Sequence, residues 1–121
     1  MESALISVFA FLALYSIKSM LVNDLNPETA REMIREGAVI IDVRSEEEYG
    51  SSSIHSSVNI PLPEIGSRIT AAVPDKEKIV MLHCRSGSRS LVGKRALKQM
   101  GYSNVYNLGS FSRAKKIASS M

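Results

Sequence analysis

The run HCRSGSRS, residues 83–90, holds the chain's single cysteine, Cys84, between Arg85 and Arg89. Cysteine reacts as the thiolate, and cationic neighbours or a helix N-terminus lower the pKa at which that form appears. Both devices are expected here. Arginines stand at 85 and 89, and a helix starting near Arg89 or Ser90 would direct its free N–H groups back toward the sulfur. Gly87 permits a tight backbone turn, while Ser86 and Ser88 are too small to close the bowl. Successive backbone N–H groups in such a turn make an anion-binding nest. The loop suits a cysteine that carries, or attacks, something negatively charged. A cysteine after a buried strand can also be a small core residue, but a core position is not normally followed by Arg-Ser-Gly-Ser-Arg-Ser.

The remaining chemistry-bearing residues narrow the field. One cysteine excludes an internal disulfide, and no Cys/His cluster has zinc-site spacing, so no metal site is expected. His55 and His83 lie far apart in sequence. Between Asp24 and Glu64 nine acidic residues face three arginines, whereas from Cys84 onward there are eight Lys/Arg and no acid. That asymmetry draws anions toward Cys84. Lys94, Lys98, Lys115 and Lys116 read as a solvated helix face. Nucleic acid is not an expected partner, because no aromatic-basic stacking pattern accompanies the charge.

The elements that must position the loop follow from pattern. At 121 residues, with 45% hydrophobic and 22% charged residues, the chain suits one folded domain with its own core. Asn26 and Pro27 cap a helix that runs to about Glu36 and stops at Gly37. AVIIDV, residues 38–43, reads as a buried strand. Ser45-x-x-Glu48 is a capping box opening a short acidic helix that ends near Gly50. A strand follows around VNI, then a helix from Pro63 to Ala72. KIVMLH, residues 78–83, is a strand buried on both faces, and Ser90 to Met100 is a helix ended by Gly101. A last strand is expected near 104–107, with a helix over the final dozen residues. Alternating strands and helices predict an α/β domain with a mainly parallel central sheet flanked by helices. Ligands of such sheets bind beyond the carboxyl ends of the strands, where Cys84 is placed.

Residues 4–17 form an uncharged run of 14, extended through Val22 with Lys18 inside it. A spanning helix needs about 20 residues, so 4–22 is a marginal span with Lys18 snorkelling. We expect an N-terminal apolar helix over 1–22, acting as membrane anchor or signal-like segment, ahead of a domain at 23–121. Poor cleavage sites around Ser16 to Leu21 favour retention as a membrane anchor. Release after cleavage is the alternative. Lys18, Arg31 and Arg35 follow the apolar run, which by the positive-inside rule would keep the domain cytoplasmic.

With these residues in view, the chain resembles the single-domain rhodanese family of sulfurtransferases, and within it the small phage-shock-operon type. The similarity covers about residues 25–110. It is carried by IIDVRSEEEY, VNIPL, VMLHCRSGSRS and MGYSNVYNLG in the family's order, with SRITAAVPDKEKI and the short tail supporting the closer match. The resemblance implies that Cys84 accepts a sulfane sulfur as a persulfide. Arg85, Ser86, Gly87, Ser88 and Arg89 would bind the donor: the two arginines hold an anion such as thiosulfate, and backbone N–H groups steady the persulfide. Asp42 and Arg44 would brace the loop as an ion pair. The acceptor would be a thiol or cyanide, with no cofactor and no metal.

The chain departs from the family at Ser52-Ser53-Ile54-His55-Ser56-Ser57, where Gly-His-Ile-x-Gly-Ala is usual, at Gly109-Ser110 in place of Gly-Gly, and around Ala114, where tryptophan is usual. Two alternatives stand beside sulfur transfer. One is a non-catalytic rhodanese-like module that binds partners or senses persulfides. The other is a Cdc25-type cysteine phosphatase or arsenate reductase, disfavoured because only four residues, Arg85 to Ser88, separate Cys84 from Arg89.

Overall fold

The computed structural model describes Ala10 and residues 24–119. In chain order these are α1 (Pro27–Arg35), β1 (Val39–Asp42), α2 (Glu46–Ser51), β2 (Val58–Asn59), a 3-10 turn (Leu62–Glu64) running into α3 (Ile65–Ala72), β3 (Val80–His83), α4 (Ser88–Gln99), β4 (Val105–Gly109) and α5 (Phe111–Ser119). The four strands form one sheet in the order β2-β1-β3-β4, and every pairing is parallel. The expected α/β architecture is present. The expected N-terminal apolar helix, with the anchor or signal over 1–22, lies outside the described residues. Among the described residues, no helix is long and apolar enough to cross a membrane.

A parallel strand covered on both faces needs apolar side chains on both, which explains the unbroken runs VII and VML. Alternate residues enter two separate cores. Ile41, Val80 and Leu82 pack with Ile65, Ile69 and Leu97 from α3 and α4. Ile40 and Met81 pack with Ala30 of α1 and Ala114 and Ile117 of α5. Helices therefore cover the sheet on both sides and leave its carboxyl edge for the loops.

Local signals act as their chemistry dictates. The Asn26 side chain accepts a hydrogen bond from the Thr29 N–H at 2.8 Å, with Pro27 opening α1. The Ser45/Glu48 capping box forms and starts α2. Two elements differ from expectation. α4 begins at Ser88, because Gly87 at φ 98° is itself the N-cap, a backbone shape suited to glycine. β4 runs on to Gly109, which pairs with His83 beyond a register shift between Leu82 and His83. Asp42, His83 and Gly109 thus stand side by side at the ends of β1, β3 and β4.

Candidate active site

Cys84 follows β3 directly and is completely buried. Its N–H donates to the Gly109 carbonyl at 3.2 Å. The loop is stitched to the end of β4 twice more, through the Phe111 N–H on the Arg85 carbonyl at 3.4 Å and a bridge between Ser86 and Ser110. The turn at Gly87 points its N–H back at Cys84, donating to Sγ at 3.0 Å. Ser90 Oγ, in the first turn of α4, lies 3.5 Å from the same sulfur. Burial pushes the thiol pKa up, but the Ser90 hydroxyl and the N–H groups of Ser90, Gly87 and Ser86 outweigh it, leaving the thiol below its ordinary value. The expected low-pKa cysteine in an N–H nest is therefore present.

The two arginines behave differently from one another. Arg89, expected to bind the donor, donates from its two terminal nitrogens to the Glu48 carboxylate at 2.7 and 3.0 Å. This fork-to-fork pair pushes the Glu48 pKa down to about 2, chiefly through the Arg89 hydrogen bonds. Arg89 is thus a strut between α4 and α2, with its fork already filled. Arg85 is exposed and makes no ion pair among the described residues. Hydrogen bonds lead in lowering the thiol pKa, and the Arg89 charge interacts with Cys84 as well. Ser86 and Ser88 are exposed at the rim, with their hydroxyls 3.3 Å apart.

Asp42 and Arg44 make the expected ion pair. Arg44 Nη2 donates to Asp42 Oδ2 at 2.8 Å, Nε lies 3.0 and 3.1 Å from the two carboxylate oxygens, and the Arg44 N–H adds a further bond. Arg44 also donates to the Ser52 carbonyl at 2.7 Å and stacks 4.2 Å over the Phe111 ring. Phe111 in turn donates its N–H to the Arg85 carbonyl, which links the pair to the loop. His83 points away from the sulfur, as strand alternation requires. Its Nε2 lies 3.5 Å from Asp42 Oδ2 and has no hydrogen-bond partner among the described residues. Burial lowers the His83 pKa more than Asp42 raises it, so the ring is neutral near pH 7.

Three residues of the site escaped the sequence reading. Glu48 was legible only as a cap, and its second bond crosses 41 positions. Ser90 was read as the start of a helix. Asn107, fully buried in β4, bonds Ser90 and Gly87. The available signal was an amide inside the apolar strand VYNLG, since a buried amide must find partners. Lys94 is a further correction. It is mostly buried and pairs with Asp24 at 2.7 Å, so it does not belong to a solvated face.

This geometry has known counterparts. Residues 26–116 match the family described as "Rhodanese-like domain". The chain is 44% identical over 69 residues to the thiosulfate sulfurtransferase PspE of Escherichia coli, covering 57% of this chain and 66% of that protein, just under two thirds of its length. It is 33% identical over 82 residues to the thiosulfate sulfurtransferase GlpE of Pseudomonas savastanoi, covering 68% of this chain and 76% of that one. Among solved structures it is similar to a rhodanese with anions from E. coli, at 39% identity and a TM-score of 0.62 over 64% of this chain and 91% of that one.

Proposed function

The chain belongs to the family of rhodanese-like domains, and from that premise we propose that it is a thiosulfate sulfurtransferase working through a Cys84 persulfide. The observation that carries the reading is the Gly87 N–H donating to Cys84 Sγ at 3.0 Å inside a nest of N–H groups. The thiolate attacks the outer sulfur of thiosulfate and forms a new S–S bond. The original S–S bond breaks, and sulfite leaves with its electron pair. A thiol or cyanide then attacks the outer sulfur of the persulfide, takes it away and returns the thiolate. Splitting the transfer into two displacements gives ping-pong kinetics.

The exposed cation Arg85 serves the anionic donor, while Arg89 holds the loop through Glu48. The filled Arg89 fork also weighs against phosphatase chemistry, which needs a free bidentate donor for the phosphoryl oxygens. Cyanolysis after thiosulfate loading tests the function: thiocyanate should form with the native chain and not with Cys84→Ser. Equal thiocyanate from both would reject it. We further propose that residues 4–22 engage the bacterial inner membrane, on the strength of their apolar composition.

A further inference from the structure

The chain enters the domain along the outer edge of β4. Asp24 Oδ2 accepts from the Asn107 N–H at 2.6 Å and from Lys94 Nζ of α4 at 2.7 Å, and the Asp24 N–H donates to the Asn107 carbonyl at 3.4 Å. One residue on, the Leu25 carbonyl accepts from Arg113 Nη2 of α5, whose Nη1 holds the Leu108 carbonyl at 2.6 Å. The Asp24 side chain is only 9% exposed. Residues 24 and 25 are therefore laced to β4, α4 and α5, and whatever precedes them leaves the domain at one fixed place.

That place is close to the cysteine loop. Asn107 pairs with Leu82, two residues before Cys84. With strands about 4.8 Å apart and a rise of about 3.3 Å per residue, Cys84 stands roughly 12 Å from Asp24.

Two lysines flank the same edge. Lys98 follows Lys94 by four residues on α4, and Lys116 follows Arg113 by three on α5, so each continues the helix face that holds the entering chain. Both are exposed, and neither makes an ion pair among the described residues. No acid occurs from Cys84 onward, so α4, β4 and α5 carry none. Asp24 itself is taken up by Lys94 and Asn107.

The apolar run 4–22 ends two residues before Asp24. Two residues span at most about 7 Å. With 4–22 seated in a bilayer, so short a connection brings the β4 edge to the headgroups, where anionic phospholipids attract lysine side chains. Cys84 lies two strand spacings further in, about 10 Å. That exceeds the Debye length of about 8 Å at physiological salt, so the lipid charge does not repel an anionic donor from the loop.

We propose that the basic β4 edge, through Lys98 and Lys116, docks on an anionic phospholipid surface and holds the Cys84 loop beside the membrane. The proposal rests on the reading that residues 4–22 engage a membrane, and it is independent of sulfur transfer.

The test is amine-reactive labelling of the full chain, read by peptide mass spectrometry, on vesicles of phosphatidylcholine alone or mixed with phosphatidylglycerol. Lys98 and Lys116 should label about fivefold more slowly on the mixed vesicles. High salt should remove the difference. Lys78, exposed just before β3 at the amino edge of the sheet, should label alike on both. Equal labelling of Lys98 and Lys116 on the two vesicles, or a slowing that Lys78 shares, would overturn the proposal. So would protection by inorganic phosphate on the neutral vesicles, which would assign the lysines to a small anion. Flotation separates failure of the docking edge from failure of the 4–22 reading. A chain that floats with neither vesicle removes both. One that floats only with the mixed vesicles, and no longer does so as the Lys98→Glu, Lys116→Glu double variant, removes the apolar anchor and leaves the docking edge standing.

Discussion

Arg89 and Glu48, 41 positions apart, meet fork to fork at 2.7 and 3.0 Å and tie the first turn of α4 to α2. The charge nearest the end of the cysteine loop is therefore already neutralised, and Arg85 is left as the cation available to a donor.

The two arginines should accordingly fail in different ways. Arg85→Ala should raise KM for thiosulfate roughly tenfold, the loss of one charge-assisted hydrogen bond, with little change for a neutral donor. Arg89→Ala should lower kcat with both donors, and Glu48→Gln should reproduce it, because either change releases the same strut. Steady-state kinetics with the paired donors decide. A selective thiosulfate defect in Arg89→Ala would return that residue to donor binding.

Arg44→Ala should destabilise the fold by about 3–5 kcal/mol, since it strands the buried Asp42 carboxylate without its partner. Arg44→Lys should recover only part of that loss, because an ammonium cannot match the fork or stack over Phe111. Urea unfolding curves measure both. A change below about 1 kcal/mol for the alanine would mean the pair contributes no more than a surface salt bridge.

The division between what could and could not be read from the sequence follows distance along the chain. The Asn26 cap, the Ser45/Glu48 box and the stop at Gly37 depend on neighbours three or four residues away, and they formed as read. VII and VML declared buried parallel strands through composition alone. The cysteine loop was legible for the same reason, as a continuous motif. The Arg89–Glu48 pair was not legible because Glu48 comes from another helix and already had a sufficient local role as a cap. Asn107 was missed because its bonds to Gly87 and Ser90 cross 20 and 17 positions. Lys94 likewise has its partner 70 positions away, at Asp24. No local pattern encodes such pairings.

Acid should unfold the protein in two stages. Burial lowers the His83 pKa in the folded state, so its contribution is full above the unfolded value of about 6.5 and falls away as pH drops below it. Glu48, pushed down to about 2, contributes fully above its ordinary value of 4.5, and that contribution is lost as pH falls toward 2. Urea midpoints across pH 8 to 3 (roughly the window these values span) should fall in both regions. The lower fall should be shallower in Glu48→Gln, and an identical acid limb in that variant would remove the pair from the account.

If residues 4–22 engage the membrane, cell fractionation should place the full-length chain with the membranes, and deletion of the segment should release an active domain. Full-length protein in the soluble fraction would end that proposal. Mass spectrometry of the N-terminus separates a retained anchor from a cleaved signal.

Intact-mass spectrometry after incubation with thiosulfate tests the central claim most directly. The native chain should gain the mass of one sulfur atom, located on Cys84 by fragmentation, lose it on addition of cyanide, and show no gain as Cys84→Ser. A native chain that stays at its unmodified mass with saturating thiosulfate, or a gain that persists in Cys84→Ser, would contradict the persulfide account.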